Sequence, residues 1–183
     1  MIHWLILTGG ASSRLGRDKA TADFDGVPLV DRALEAVSDL SVSGTASVVG
    51  AEFSGGPAAA VVAQLANIRD DFVGVLAVDM PLVSSALATV VESVRLASHE
   101  DLVEAWVPVD SDGRAQWLCG VYRRLALIRA SESQSMWRDA PFHRLVAGLD
   151  VAMVPIPSSV SLLDIDTPED FQRALEAARD LGT

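Results

Sequence analysis

Apolar runs of strand length alternate along this chain with stretches of helical period. Ile2 to Leu7 is an apolar run, interrupted only by His3, that stops at the Gly9-Gly10 pair, as a buried strand does. Val30, Leu34 and Val37 recur at helical spacing after the Asp25-Gly26 turn, which predicts an amphipathic helix from about Pro28 to Leu40. Ala46 to Val49 reads as a short strand, and Gly55-Gly56-Pro57 opens a helix over Ala58 to about Asn67. Phe72 to Val78 is a second central strand, followed by a helix from Ser84, its expected N-cap, to about Ala97. Leu102 to Val109 and Arg114 to Tyr122 flank Asp110-Ser111-Asp112-Gly113 and predict a hairpin. Ser135 to Arg138 and Phe142 to Val146 read as a helical region broken at Pro141, with Met136, Trp137 and Leu145 in the core and His143 on the surface. A strand over Val151 to Ile156 precedes a last helix, where Thr167, Pro168 and Asp170 form a capping arrangement and Leu175, Ala178 and Leu181 an apolar side.

Alternating strands and helices imply a three-layer α/β/α, Rossmann-like fold with a mainly parallel sheet and an antiparallel hairpin near residues 102 to 122. At 183 residues, half of them apolar, the chain suffices for one core, and residues 1–183 are expected to form a single domain. The net charge of -11 argues against a nucleic-acid partner, because neutralising a phosphate backbone needs a basic face. Cys119 is the only cysteine, so no internal disulfide or cysteine metal cage is possible, and a reducing cytoplasm fits. The first apolar run is too short for a signal-peptide core or a membrane span, and no membrane partner is expected.

Against this acidic background, Leu7 to Lys19 gathers cations and hydroxyls. Gly9, Gly10 and Gly16 let the backbone bring its N–H groups close to a ligand, and Ser12, Ser13, Arg14, Arg17 and Lys19 add donors suited to a polyphosphate. Lys19 is the only lysine in the chain, a compact ammonium where every other fixed cation is an arginine. Asp79 closes the second central strand, and a carboxylate at the carboxyl end of a parallel strand lies at the ligand-binding rim. Such a residue either binds a metal or caps the next helix.

The loop matches neither G-x-x-x-x-G-K-[ST] nor G-x-G-x-x-G. It resembles instead the L-x-G-G-x-S-x-R-[ML]-G-x-D-K signature of nucleotidyltransferases, and the Gly9-Gly10 and Asp18-Lys19 pairs tilt the likeness toward molybdenum cofactor guanylyltransferases. Gly26 to Leu34, Asp79-Met80-Pro81 and the Asp164-to-Asp170 stretch extend the likeness over nearly the whole chain. The resemblance implies a nucleotide-diphospho-sugar-transferase-like fold, GTP as substrate, molybdopterin as acceptor, and Mg²⁺ as the metal. It also implies transient contact with molybdoenzymes or other cofactor-synthesis proteins. In that reading Lys19 neutralises the α-phosphate region and Arg14 holds the departing phosphates. Leu7, Thr8, Gly9 and Gly10 meet base and sugar, Glu52 stands in for an acidic nucleotide contact, and Asp79, helped by Asp166, holds the metal. The chain departs from the pattern in the short connection from Val49 to Gly55, in Trp117 where relatives carry proline, and in the carboxylates Asp164 and Asp166 where relatives have asparagines. Gln116 reads equally as an acceptor contact and as a satisfied strand amide. A CTP- or sugar-phosphate-using relative and a non-catalytic GTP-binding regulatory protein remain alternatives.

Overall fold

The computed structural model describes residues 1–9, 20–40, 43–50, 53, 55–98 and 102–182. Among them the strands are β1 (Ile2–Leu7), β2 (Asp23–Phe24), β3 (Val27–Pro28), β4 (Ser43–Val49), β5 (Phe72–Ala77), β6 (Ala105–Val109), β7 (Cys119–Arg123) and β8 (Val151–Pro155). The α-helices are α1 (Leu29–Ser38), α2 (Gly56–Gln64), α3 (Ser84–Leu96), α4 (Arg124–Ser131), α5 (Phe142–Val146) and α6 (Pro168–Leu181). Six strands form one sheet in the order β4-β1-β5-β7-β6-β8, and β2 pairs with β3 in a separate hairpin. β1 is parallel to both β4 and β5, and β6 is parallel to β8; β7 runs antiparallel to β5 on one side and β6 on the other.

Period-two alternation in β1 sorts its residues between two helical layers. Ile2, Trp4 and Ile6 join a core with Leu29, Ala33 and Val37 of α1, Leu87 and Val90 of α3, and Ala174 and Ala178 of α6. Leu5 and Leu7 join the opposite core with Ala58 and Val61 of α2, Leu127 of α4, and Phe142 and Leu145 of α5. The expected three layers are therefore α1, α3 and α6 on one face and α2, α4 and α5 on the other. Trp4 is fully buried, and its ring lies over Gly74 of β5: a β-carbon there would sit 2.3 Å from Cε3 and 2.4 Å from Cδ2. A glycine in a central strand, costly by propensity, is thus the seat of the largest core side chain.

Several local expectations give way to packing. The residues from Ser135 to Arg138 are not helical; Trp137 donates its indole N–H to the Ser131 carbonyl at 2.8 Å, and Asp139 takes a positive φ of 59° and donates its backbone N–H to Gly55 at 2.7 Å. Trp137 and Leu145 are buried as expected, but Met136 is 70% exposed and Leu181 57% exposed. Ser84 is the first helical residue of α3 rather than its cap, which is Val83 without a side-chain bond. Ser85 instead meets Ser161 at 2.7 Å. The capping arrangement on α6 is present in full, with Thr167 and Asp170 bonding reciprocally.

Candidate functional site

The parallel pair β1 and β5 ends level, Leu7 beside Ala77, and Val78 donates its N–H to the Leu7 carbonyl at 3.1 Å. Thr8 gives both its N–H (3.0 Å) and its hydroxyl (3.2 Å) to the Val49 carbonyl, which turns its side chain toward β4. Leu7 is buried, Thr8 half-buried and Gly9 exposed. The chain thus reaches the surface at Gly9, two residues past the end of β1. Gly10, Arg14, Lys19 and Glu52 lie outside the described residues.

Asp79 follows β5 after one residue, Val78. Its carbonyl accepts the Ile165 N–H at 2.9 Å, and the buried side chain of Met80 anchors the turn from below. From α1, Arg32 reaches the Pro81 carbonyl at 3.5 Å and the Phe24 carbonyl at 3.4 Å, with its guanidinium 4.9 Å from the centre of the Phe24 ring. The turn carrying Asp79 is thereby fastened from two sides.

A cavity of about 530 Å³ opens beside this turn, lined by Asp79, Met80 and Asp164, by Arg114 to Leu118, by Pro141 to His143, and by Pro57. The stretch from Arg114 to Leu118 forms an arch because β6 and β7 pair only at Ala105 with Tyr122 and Trp106 with Val121, then part. Asp110 starts the arch by accepting the Asp112 and Arg114 N–H groups at 3.0 and 2.8 Å, with Gly113 at a φ of 79°. Gln116 then donates to the Pro108 carbonyl at 2.9 Å, Ala77 donates to the Leu118 carbonyl at 2.8 Å, and Cys119 donates to the Gln116 carbonyl at 3.0 Å. Finally, the buried Tyr122 hydroxyl donates to the Trp117 carbonyl at 2.5 Å. The predicted hairpin exists, but its return is this pinned arch rather than a continuous strand from Arg114.

Burial raises the Tyr122 hydroxyl well above the ordinary phenol range, so it stays a donor, and raises the Cys119 thiol to about 12, so Cys119 is an inert core residue and not a nucleophile. The cavity presents two carboxylates, Asp79 and Asp164, together with Arg114 and His143. Of the two aspartates the sequence offered near residue 165, Asp164 is on the cavity wall. The backbone N–H of Asp166 donates to Asp170 at 3.3 Å, beside the cap of α6. Among the described residues no group of three or more His, Cys, Asp or Glu side chains is placed to hold a metal. A pair of carboxylates suits Mg²⁺, which keeps water and phosphate ligands, better than a metal that needs a full protein cage. Sequence reasoning left Arg114 unassigned and put His143 on the surface. His143 is exposed, and that surface is the cavity. The signal for Arg114 was its place directly after the Asp-Gly turn.

Residues 4–147 match the MobA-like NTP transferase domain. A probable molybdenum cofactor guanylyltransferase from Mycolicibacterium paratuberculosis is 28% identical over an alignment covering 96% of this chain and 95% of that protein. A molybdenum cofactor biosynthesis bifunctional protein from Synechocystis is 24% identical, with 93% of this chain aligned; the chain spans 52% of that relative's length. Among solved structures, the molybdopterin-guanine dinucleotide biosynthesis protein A from Archaeoglobus fulgidus superposes with a TM-score of 0.69 at 19% identity, over 97% of this chain and 99% of that one. No described helix is long and apolar enough to cross a membrane.

Proposed function

The chain belongs to the MobA-like NTP transferase family and is a nucleotidyltransferase, and from that premise we propose that it moves GMP from GTP to the phosphate of molybdopterin, releasing pyrophosphate. The observation that carries this reading is the position of Asp79, on the cavity wall and two residues past a strand that ends level with β1. The end of β1 lies beside the end of β5, with the chain exposed at Gly9, and the walled cavity opens at Asp79 itself. A nucleotide over the end of β1 and an acceptor in the cavity would meet at Asp79.

In the transfer, an oxygen of the acceptor phosphate forms a bond to the α-phosphorus while the bond from that phosphorus to the α,β-bridging oxygen breaks. The electron pair leaves with pyrophosphate, and nothing is oxidised or reduced. The protein's task is alignment and charge stabilisation. Asp79, with Asp164 as the second carboxylate, would hold Mg²⁺, which when bound offsets charge on the phosphate oxygens. Lys19 and Arg14 supply fixed positive charge on the nucleotide side, and Arg114 and His143 offer donors on the acceptor side. A single preorganised donor of this kind contributes about 100- to 1000-fold in rate.

The test is pyrophosphate release from purified protein with molybdopterin, Mg²⁺ and each of GTP, CTP and dTTP. GTP should support turnover, and Asp79→Asn should abolish it with an unchanged melting temperature. Turnover with CTP alone would move the chain to another branch of the superfamily, and GTP binding without pyrophosphate release would make it a regulatory protein.

A further inference from the structure

The chain has four tryptophans, and their surroundings differ. Trp4, Trp106 and Trp137 are 0%, 3% and 7% exposed, core residues on either face of the sheet. Trp117 is half-buried and lines the cavity beside Asp79. Its backbone is held by the Tyr122 hydroxyl and, through its neighbours Gln116 and Leu118, by β6 and β5. A ring on so constrained a support loses little freedom when something packs against it. Trp117 packs in part against the core on that face of the sheet, and Gln116, Arg114 and His143 line the same cavity with polar side chains.

We propose that Trp117 determines acceptor specificity by stacking on a flat, fused heteroaromatic ring whose phosphate-bearing arm is directed to Asp79. This rests on the reading of the cavity as the acceptor half-site. A sugar phosphate offers an indole only C–H edges rather than a fused aromatic face, so the same residue favours the flat ring over it. Were Trp117 only a lid over the core, its replacement would change melting temperature and leave acceptor affinity alone.

The experiment follows the four indole N–H resonances in ¹⁵N-labelled protein, that of Trp117 being assigned from Trp117→Phe, during titration with neopterin monophosphate and, separately, glucose 1-phosphate. The pterin should shift the Trp117 resonance saturably and leave the other three in place; the sugar phosphate should not. By calorimetry Trp117→Ala should weaken pterin binding by about 10- to 100-fold, the scale of an aromatic–base stack, while Trp117→Phe recovers most of it. In turnover Trp117→Ala should raise KM for the acceptor and leave KM for GTP unchanged. An unmoved Trp117 resonance at millimolar pterin, or an alanine variant that binds pterin as well as the parent, overturns the proposal. If wild-type protein turns over GTP with molybdopterin and Trp117 does not respond, stacking alone fails. If Trp117 responds and no pyrophosphate is released, the proposed reaction fails and the stacking site stands.

Discussion

Tyr122→Phe isolates one bond that shapes the cavity. The phenyl ring keeps the packing of Tyr122, including its edge-on contact with Phe142 at 5.4 Å between centroids, and removes only the hydroxyl that donates to Trp117 at 2.5 Å. The net worth of such a bond is about 0.5–1.5 kcal/mol, whereas removing one partner and leaving a buried carbonyl unsatisfied costs about 1–3 kcal/mol. Because this bond is only part-buried, water replaces some of the loss, and the expected cost is about 1.5–2 kcal/mol. For a chain of this size that lowers Tm by about 3–8 °C. Urea and thermal melts read the stability term, and KM for the acceptor, which should rise while KM for GTP stays constant, reads the loosened arch. The bond should persist at alkaline pH, since burial holds the Tyr122 proton well above the ordinary phenol range. A variant that melts within about 1 °C of the parent and keeps its acceptor KM would refute the idea that this hydroxyl braces the arch.

Lys19→Ala should lower kcat/KM by about 100- to 1000-fold at unchanged stability, measured as pyrophosphate release; near-normal activity would take the lysine out of the mechanism. Gly74→Ala drives a methyl to 2.3 Å from the Trp4 ring and should cost about 1–3 kcal/mol in urea unfolding. Combining it with Trp4→Phe should cost less than the two singly, and strict additivity would show the contact to be irrelevant. His3 meets Ser47 at 3.0 Å and Thr45 at 2.7 Å, and its pKa is lowered from 6.5 chiefly by burial, with Asp70 pulling the other way. Its contribution to stability should therefore be complete above pH 6.5 and fall as pH drops through the lowered folded value, because there the unfolded chain binds the extra proton. His3→Gln should flatten the pH dependence of the urea midpoint below pH 6.5, and an unchanged slope would remove His3 as its source.

Features whose causes lie within a few residues were legible beforehand. The apolar run of Ile2 to Leu7, the helical spacing in α1, the turn at Gly113 and the reciprocal cap of Thr167 and Asp170 each follow from backbone geometry and near neighbours, and the structure has them where the sequence pattern put them. Asp79 at the end of a central strand was legible for the same reason. What periodicity could not supply was pairing across the chain. That β7 lies between β5 and β6, so that the arch from Arg114 to Leu118 shares a cavity with Asp79, depends on bonds such as Ala77 to Leu118, 41 residues apart. Ser135 to Arg138 carry helical spacing yet stay unwound, because the Trp137 indole and the Asp139 N–H find partners at Ser131 and Gly55. Asp164 and Asp166 are indistinguishable as letters; the Ile165 N–H bonded to Asp79, with the α6 cap beyond it, leaves Asp164 on the wall. Trp117 read as a departure from a motif, and only the tertiary fold placed it on a cavity wall. Local rules set where elements begin and which faces are apolar, whereas long-range burial and hydrogen bonding decide which of those faces meet.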